Sequence, residues 1–477
     1  MTDLFEPLRQ KIKNKKCAVL GLGVSNLPLT DLLLSLGSAA QITVYDQKTP
    51  ETLGESAKKL LDLGVKFVSG KNCFDHIDAD VIFRSPGIRP DIAGISSAIG
   101  RGAELTSEIE MLLDLTPAAT FAITGSDGKT TTTTLVGKFL EAAGRRVFVG
   151  GNIGTPLLDR CNVMREDDAC VLELSSFQLM RTARSPVCTA ITNISPNHLN
   201  WHIDEEEYFN AKKNIVGENT KRLVVNADCK PTLDFGLEIA RHGDKEVIFF
   251  SSGKNSYAEI IKESLPNTRA IYRKDGKIYI SDGKCEELLL DCSEIRLPGV
   301  HNIENYMTAI ALCYRYVDTD TLLSVAREFT GVEHRLEPVR TLDGVDYINV
   351  SIDSSPTRTI AALSALQGRD IVLICGGYDK KLDYSPLAPK LCDSVRVLVL
   401  TGDTAEKIER ALLEYAGYSG SPEIIHAESF EDTVILARKN AVKGGCVLLS
   451  PASASFDRFD NFAERGRYFK KLVLELE

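Results

Sequence analysis

The first hundred residues alternate short apolar runs with stretches of helical periodicity. The apolar runs are KKCAVLGLG, QITVYD, which ends at Asp46, and DVIFRSPGI, which ends at Ile88. Alternation of strand and helix predicts βαβ units that build a parallel sheet. We therefore expect a first α/β domain over residues 1–106.

The same pattern starts afresh beyond residue 106. The run TFAITGSDGKTTTT opens a second segment, DACVLELSS and VCTAITNIS follow, and a strand-rich stretch with a hairpin turn at Asp275-Gly276 comes after Arg222. Beyond GVEHRLEPV the alternation resumes in YINVSI, DIVLICGG, VRVLVLTG and GGCVLLS. We therefore expect a central domain over residues 107–331 and a third α/β domain over residues 332–477.

The composition agrees with three soluble domains. At roughly 100–200 residues per domain, 477 residues allow about three, and 43% hydrophobic with 26% charged residues is typical of globular proteins. No apolar run reaches the roughly 18 residues of a spanning helix, and the N-terminus shows no export signal. Twelve scattered cysteines without zinc-site spacing fit a reducing cytosol. We expect a cytoplasmic protein without a membrane span.

A formal net charge of −10 argues against nucleic-acid binding. A first glycine-rich turn nevertheless offers a local phosphate site. Gly21-Leu22-Gly23 follows a strand and precedes a helix, as in dinucleotide-binding turns, although Asn26 stands in place of the third glycine. Asp46 ends the next strand, where such folds often place a ribose-binding acid. A partial pattern of this kind also occurs in strand–helix turns that bind nothing.

A second glycine-rich turn, Thr124–Thr131, reads TGSDGKTT and follows an apolar strand. Backbone amides of such a loop cradle phosphate, Lys129 supplies a charge for the terminal phosphates, and Thr130 offers a hydroxyl to magnesium. Ile123 replaces the usual first glycine. The order of strand, loop and helix predicts an ATP site, against the alternative of a threonine-rich helix start.

Four more polar residues are candidates because of where they lie. Glu173 closes the strand DACVLEL, at the edge where parallel sheets bind ligands, although a lone acid there is more often solvated. His198 follows the next strand and is ambiguous by itself. Tyr208 and Lys212 are four residues apart in a helical stretch and therefore share a face. Sequence physics alone would treat Lys212 as a surface charge.

Taken together, these segments resemble the Mur ligases and, within that family, the members that add D-glutamate. The match runs nearly end to end and includes Gly21-Leu22-Gly23, Ser85-Pro86-Gly87-Ile88, Thr124–Thr131, Gly151–Pro156, Glu173–Gln178, His198-Leu199, Tyr208 with Lys212, Asn302 with Asn305, His334-Arg335, Gly376-Gly377 with Lys380, and Leu449–Ser455. The phosphate loop, the two asparagines and His334-Arg335 belong to the wider superfamily. The segments around Ser85, Glu173 and Ser450 look specific to the D-glutamate-adding members.

The resemblance implies a Rossmann-like N-terminal domain for a UDP-sugar, a central P-loop ATPase domain with a mostly parallel sheet, and a Rossmann-like C-terminal domain for the amino acid. Contacts with the UDP-sugar are implied for Gly23, Val24, Ser25, Asn26, Asp46, Lys48, Ser85, Pro86, Gly87 and Asn152. Contacts with ATP are implied for Gly125, Ser126, Asp127, Gly128, Lys129, Thr130, Thr131, Asn302, Asn305 and Arg335. Contacts with D-glutamate are implied for Ser354, Lys380, Ser455 and Phe462.

The family reaction joins D-glutamate to UDP-N-acetylmuramoyl-L-alanine in peptidoglycan precursor synthesis, with ATP as co-substrate and Mg²⁺ as cofactor. The substrate carboxylate attacks the γ-phosphate to give an acyl phosphate, and the amine of D-glutamate then displaces phosphate. The implied catalytic residues are Lys129, Glu173, His198 and Lys212. The implied metal residues are Thr130, Glu173, His198 and Lys212, the last carbamylated by carbon dioxide. We expect a monomeric enzyme.

Two positions depart from the family pattern. Val350 stands where the family places an acid that reaches the nucleotide, and Asn200 stands where it places an acid beyond the metal histidine. Asp353 lies three residues after Val350, and we predict that it partly replaces the missing acid at the ATP site. The departures leave two alternatives open. One is a catalytically weakened paralogue that binds UDP-sugar or nucleotide as a regulatory module, and the other is a ligase for another amino acid or acceptor.

Overall fold

A computed structural model of the chain describes residues 3–195, 198, 201–253, 265–297 and 299–477. The chain forms two compact units, Met1–Phe329 and Thr330–Glu477. Strands and helices alternate through both units, and the sheets are mostly parallel, which confirms the predicted α/β class. The division of the first unit at residue 106 stays a prediction. Within the described residues, no helix combines the length and apolarity needed to cross a membrane.

The first sheet is fully parallel and has the strand order β3-β2-β1-β4-β5. Its strands are β1 (Lys16–Leu20), β2 (Gln41–Asp46), β3 (Lys66–Ser69), β4 (Val81–Arg84) and β5 (Glu104–Thr106). Its helices are α1 (Glu6–Ile12), α2 (Asn26–Ser35), α3 (Pro50–Leu53), α4 (Glu55–Asp62) and α5 (Ala93–Gly100). The order reverses between β1 and β4, so the loops after these two strands open at the crevice where such sheets bind ligands.

The second sheet, in the same unit, has the order β14-β13-β12-β11-β10-β9-β6-β8-β7. Its strands are β6 (Ala119–Thr124), β7 (Val147–Gly151), β8 (Ala169–Glu173), β9 (Cys188–Ile191), β10 (Arg222–Asn226), β11 (Glu246–Ser251), β12 (Thr268–Lys274), β13 (Lys277–Ser281) and β14 (Glu286–Asp291). Only the β12–β13 and β13–β14 pairs are antiparallel. Asp275 and Gly276 join β12 to β13 with positive φ angles of 50° and 75°, which confirms the predicted hairpin.

The helices around the second sheet are α6 (Glu108–Leu115), α7 (Lys129–Ala142), α8 (Ser176–Leu179), α9 (Glu205–Lys213), α10 (Lys230–His242), α11 (Val300–Cys313) and α12 (Thr319–Glu328). Helices α7 and α11 pack side by side, with the rings of Phe139 and Tyr306 edge to face at 6.1 Å. Strand β6 lies between β8 and β9. The three loops that follow β6, β8 and β9 therefore meet at one edge of the sheet.

The second unit contains a six-stranded sheet of order β15-β16-β20-β17-β18-β19, in which only β15 and β16 are antiparallel. Its strands are β15 (Glu337–Leu342), β16 (Val345–Asn349), β17 (Ile371–Gly376), β18 (Val397–Thr401), β19 (Glu423–His426) and β20 (Cys446–Leu449). Its helices are α13 (Pro356–Ala365), α14 (Ala388–Ser394), α15 (Ala405–Leu413), α16 (Phe430–Asn440) and α17 (Phe462–Glu475). The parallel strands are buried along their whole length at the centre, as a sheet covered on both faces requires.

Candidate active site

The phosphate loop between β6 and α7 depends on two glycines with positive φ. Gly125 has φ 146° and Gly128 has φ 77°. A Cβ atom on Gly125 would lie 1.9 Å from Thr192 Oγ1, and one on Gly128 would lie 2.3 Å from Asn305 Oδ1. Only glycine fits at either position. The loop therefore brings its backbone amides to the N-terminus of α7, a position that favours anions.

Lys129 and the asparagine pair of α11 complete the loop. The Lys129 ammonium donates to the carbonyl oxygens of Gly125 at 3.1 Å and Ser126 at 2.8 Å. The Asn305 amide donates to Asn302 Oδ1 at 3.2 Å, and both asparagines are buried. The structure thus brings the N-terminus of α11 against the phosphate loop, although some 170 residues of sequence separate them.

Glu173 lies beside Thr130, as the strand order requires. Its Oε2 accepts a hydrogen bond from Thr130 Oγ1 at 2.7 Å, and its Oε1 accepts one from Asn152 Nδ2 at 2.8 Å. The Glu173 side chain is 2% exposed. A hydroxyl oxygen at the start of α7 and a carboxylate at the end of β8 are the kinds of oxygen atom that Mg²⁺ prefers.

Lys212 on α9 is buried against the phosphate loop. Its Nζ donates to Gly125 O at 2.8 Å and to Thr124 Oγ1 at 3.4 Å, and the residue is 2% exposed. Burial, followed by the charge of Lys129, lowers the pKa of Lys212 to about 6. Lysine at this position is therefore poised to be a neutral amine at neutral pH.

Tyr208 lies one turn before Lys212 and faces the same way. Its hydroxyl is 3.0 Å from Ser126 Oγ, and its ring lies 4.6 Å from the Lys212 ammonium. Lys213 points elsewhere, over the ring of Phe209 at 4.6 Å. The predicted face of α9 is therefore correct.

His198 lies between α8 and α9. It has a left-handed φ of 56°, and its ring packs edge-on against Phe177 at 5.1 Å and lies 6.3 Å from the ring of Tyr208. Non-glycine residues in this conformation are concentrated at functional sites. Asn200, the second departure from the family pattern, lies outside the described residues.

The loops after β1 and β4 are in contact at the switch point of the first sheet. A Cβ on Gly21 would lie 3.1 Å from Ile88 Cδ1 and 3.2 Å from Ser85 Cβ. Of the implied UDP-sugar residues here, Val24 is 80% exposed, while Asn26 is buried and donates through Nδ2 to the carbonyls at the end of β1. Gly23, Lys48 and Gly87 are exposed as well.

Asp46 holds the first glycine-rich turn in place. Its two carboxylate oxygens accept from the amides of Leu22 and Lys48, each at 2.8 Å. The acid therefore lies at the turn, and it orders the backbone of the loops after β1 and β2. Asn152, the tenth residue of the implied UDP-sugar set, lies on the second sheet beside Glu173.

In the second unit the implied D-glutamate residues follow three neighbouring strands. Ser354 comes after β16, Ser455 after β20 and Lys380 after β17. The amide of Tyr378 donates to Ala454 O at 2.9 Å, which ties the last two loops together. Ser455 is buried, whereas Lys380 is exposed.

The other implied residues of this unit lie around β16. Arg335 is exposed, and Phe462, 40% exposed at the start of α17, packs edge-on against His334 at 6.0 Å. Asp353 is 6% exposed and accepts from Ser450 Oγ at 2.8 Å, and burial raises its pKa to about 6. Its replacement of an acid at the ATP site stays a prediction.

One further cluster in the second unit has metal-ligand chemistry. Glu333, His334 and Glu337 place one ligand atom each within 4.8 Å of one another, the only group of this kind among the described residues. The Lys470 ammonium already lies 3.0 Å from Glu333 and 2.6 Å from Glu337. The Lys470 ammonium pairs with both carboxylates, so this cluster is an ion-pair network.

Sequence reasoning missed the residues that support these loops. His202 is buried and bonded to Glu207 and Ser176. Arg84 and Arg465 are buried arginines that bind backbone carbonyls beside the ligand loops. An arginine in an otherwise apolar strand, such as the one that ends VIFR, is the only sequence signal for such a role.

The fold and the phosphate loop, with Glu173 and Lys212 beside it, define a nucleotide-dependent enzyme of the phosphate-loop class. The family model of the Mur ligase middle domain matches residues 123–313, and that of the Mur ligase, glutamate ligase domain matches residues 334–453. The chain belongs to the Mur ligase family. ATP is therefore its co-substrate.

Curated relatives match over the full length of both chains. The UDP-N-acetylmuramoylalanine–D-glutamate ligases of Ruminiclostridium cellulolyticum, Acetivibrio thermocellus and Clostridium botulinum are 43%, 42% and 43% identical, each covering 100% of this chain and of the relative. The structure of UDP-N-acetylmuramate-alanine ligase from Thermotoga maritima matches at 19% identity and TM-score 0.53, covering 96% of this chain and 99% of that one. A UDP-N-acetylmuramoyl-L-alanyl-D-glutamate–2,6-diaminopimelate ligase matches at 16% and 0.54, covering 83% and 93%. Both structures support the fold alone.

Proposed function

We propose that the chain adds D-glutamate to UDP-N-acetylmuramoyl-L-alanine with hydrolysis of ATP to ADP and phosphate, in peptidoglycan precursor synthesis. The observation that carries the proposal is the cluster at the phosphate loop, where Lys129, Glu173 and Lys212 converge. Its support in sequence is the full-length identity of 43% to relatives that bear this activity in their names. We further propose a monomeric cytoplasmic enzyme.

The residues at the loop fit a magnesium ion. Thr130 and Glu173 present oxygen atoms 2.7 Å apart at the N-terminus of a helix, and Mg²⁺ takes oxygen ligands from carboxylates, hydroxyls and phosphates. His198 and a carbamylated Lys212 would complete the protein ligands. When bound, the ion would supply positive charge to the phosphates of ATP.

The chain's own groups would act by positioning and charge. Amides of the phosphate loop and the Lys129 ammonium would hold the β- and γ-phosphates, so that the substrate carboxylate meets the γ-phosphorus in line. Asn152 would approach the carboxylate of the muramoyl-alanine from its place beside Glu173. The resulting acyl phosphate would then be attacked by the amine of D-glutamate, held by Lys380, Ser354, Ser455 and Phe462. No side chain would form a covalent bond to substrate.

The test is release of phosphate from ATP with Mg²⁺ and UDP-N-acetylmuramoyl-L-alanine, with D-glutamate compared against L-glutamate and a panel of other amino acids. We expect release that depends on both substrates and is greatest with D-glutamate. Release with another amino acid would indicate a ligase of different specificity. Tight binding of the UDP-sugar without any release that depends on an amino acid would contradict the enzyme and favour a regulatory module.

A further inference from the structure

Arg84 lies at the end of β4, immediately before the loop Ser85–Ile88. It is 3% exposed, and its Nη1 donates to Ile88 O at 2.6 Å and to Pro86 O at 3.2 Å. Its Nη2 donates to Phe177 O at 3.0 Å, on the short helix α8. A single buried guanidinium therefore joins the loop of the first sheet to the segment after β8. Five N–H donors in a rigid fork make arginine suited to binding several carbonyls at once.

Arg89 lies at the other end of the same loop. Its Nη1 and Nη2 form a bidentate pair with Glu207 of α9, at 3.0 and 2.8 Å, and Nη1 also donates to Trp201 O at 2.7 Å. The Trp201 indole in turn donates to Gly87 O at 3.1 Å, and its ring lies 5.1 Å from the Arg89 guanidinium. The loop is thus held at both ends by contacts that leave the first sheet.

The Glu207 contact continues toward the centre of the second sheet. Glu207 Oε2 is 3.2 Å from His202 Nδ1, and His202 Nε2 is 2.9 Å from Ser176 Oγ. Burial lowers the pKa of His202, which favours the neutral ring, and a proton on Nδ1 lets Nε2 accept from the serine hydroxyl. The hydrogen bonds therefore run without a break from Arg89 to Ser176 on α8.

The two anchor points are the parts of the fold that carry the chemistry. The ring of Phe177 packs on His198, and α9 carries Tyr208 and Lys212 on the face toward the phosphate loop. Displacing the loop against α8 and α9 would therefore change the distance between a ligand on the loop and the phosphate site. Small errors of this kind reduce the rate of a positioned reaction steeply.

We propose that Arg84 and Arg89 are positioning residues that set the distance between the Ser85–Ile88 loop and the phosphate site. The inference rests on the proposed function, in which the loop holds the UDP-sugar and the phosphate loop holds ATP. Neither arginine needs to touch a reacting atom. Arg84 acts through the carbonyl of Phe177, and Arg89 acts through the carboxylate of Glu207.

The Arg89–Glu207 pair gives the sharper test, because both side chains are 21% exposed and replacement is tolerable for folding. The variants are R89Q, E207Q, the double variant R89Q/E207Q and the charge swap R89E/E207R. R89K tests the fork, since lysine keeps the charge and loses the bidentate geometry. R101Q is the matched control: Arg101 also binds a carbonyl, Ile77 O at 2.7 Å, but it directly follows α5 and, among the described residues, makes no hydrogen bond with the Ser85–Ile88 loop.

Two readouts separate positioning from folding. The first is the set of kinetic constants for phosphate release, with kcat and the KM values for UDP-sugar and for ATP measured separately. The second is the fluorescence of Trp201, the single tryptophan of the chain, which lies between Gly87 and Arg89 and reports on the loop during titration with UDP-N-acetylmuramoyl-L-alanine. Melting temperatures are recorded for every variant.

We expect R89Q and E207Q each to lower kcat at least tenfold and to raise the KM for UDP-sugar, while the KM for ATP stays within about twofold. The double variant should lose less than the two single losses combined, because both single variants remove the Arg89–Glu207 contact. R89K should resemble R89Q. The charge swap should not recover the loss, because arginine at position 207 cannot accept the hydrogen bonds that Glu207 receives from His202 and Ile203, and glutamate at position 89 would face Asp91, which also pairs with Arg89. R101Q should match the wild type in rate and in fluorescence titration.

The proposal is overturned if the variants melt earlier but keep kcat and both KM values within twofold of the wild type, since the pair would then only stabilise the fold. Losses that add in the double variant would also overturn it. A wild-type chain without D-glutamate-dependent release contradicts the proposed function alone. The positioning role is then judged from the dissociation constant for UDP-sugar, read from Trp201 in the same variants.

Discussion

Replacing Lys212 with alanine tests the role of a buried lysine beside the phosphate loop. Lys212 is 2% exposed and its Nζ shares the acceptor Gly125 O with the Lys129 ammonium, so a second cation at Lys212 would be repelled. We expect the buried amine to be carbamylated by carbon dioxide, which replaces the repulsion of a cation by an anionic oxygen ligand. Phosphate release should then fall about 100-fold or more in K212A, the scale for loss of one preorganised electrostatic group.

The pKa of Lys212 sets how reactive the amine is. An ordinary lysine, with a pKa near 10.5, is neutral in about one molecule per thousand at pH 7.5. With its pKa lowered to about 6, Lys212 is neutral in roughly thirty molecules for each charged one. Its two N–H groups then suffice for Gly125 O and Thr124 Oγ1, and the lone pair stays available for carbon dioxide. The gain in reactive amine is roughly 1000-fold.

Modification and activity are measured separately. Carbon-13 NMR of the enzyme in labelled bicarbonate should show a carbamate signal that is absent from K212A, without any substrate present. Phosphate release should fall in buffer freed of carbon dioxide and return when bicarbonate is added. K213A is the matched control and should stay within about twofold of wild type, since Lys213 packs over Phe209 and away from the loop. Equal, small effects of K212A and K213A, or identical spectra, would refute the reasoning.

Three other substitutions test separate parts of the structure. G128A should abolish ATP-dependent release with little loss of UDP-sugar binding, because its Cβ would meet Asn305 Oδ1 at 2.3 Å; steady-state rates and a UDP-sugar titration check this. D353N should raise the KM for ATP about tenfold if Asp353 replaces the acid missing at Val350, and unchanged affinity and turnover would reject that role. E108Q should raise the melting temperature by a few degrees at pH 8 and leave it unchanged at pH 4, since burial raises the pKa of Glu108 to about 7. Between the ordinary pKa of 4.5 and about 7, the folded state binds a proton that the unfolded state has lost, so wild-type stability falls as pH rises through that window. Glutamine at this position does not titrate and can still accept from the amides of Leu157 and Leu158, so the variant escapes the loss.

Local chemistry was enough to predict the strand–loop–helix units. The loop TGSDGKTT follows a run that could only be a buried strand, and its glycines have the positive φ that such a turn needs. The face of α9 was equally predictable, because residues four apart on a helix lie together and Tyr208 and Lys212 do so. The Asp275-Gly276 hairpin belongs to the same class of local signal.

The pattern of hydrophobic and polar residues does not predict contacts between segments that are distant in the sequence. Nothing in the sequence around Asn305 indicates that its side chain closes over Gly128, because that contact depends on the packing of α11 against α7. The burial of Lys212 also follows from tertiary packing, since KK in a polar helix predicts two solvated charges. The family resemblance, and not the helical pattern, placed Lys212 at the site. The structure shows the tertiary packing that buries it there.

Each compact unit has a buried arginine beside loops that we propose to bind substrate. Arg84 binds carbonyls of Pro86, Ile88 and Phe177, and Arg465 binds carbonyls of Ser351, Ser453 and Ala454. Burial lowers the pKa of each guanidinium to about 10, so both remain charged at neutral pH. A carboxylate partner would fix an arginine in one direction, whereas several carbonyls allow one side chain to hold two loops. Each loop would otherwise be free to move on its own, because loops carry few apolar contacts. A ligase must align substrates that are held on separate loops. A buried side chain that joins two loops therefore contributes directly to that alignment.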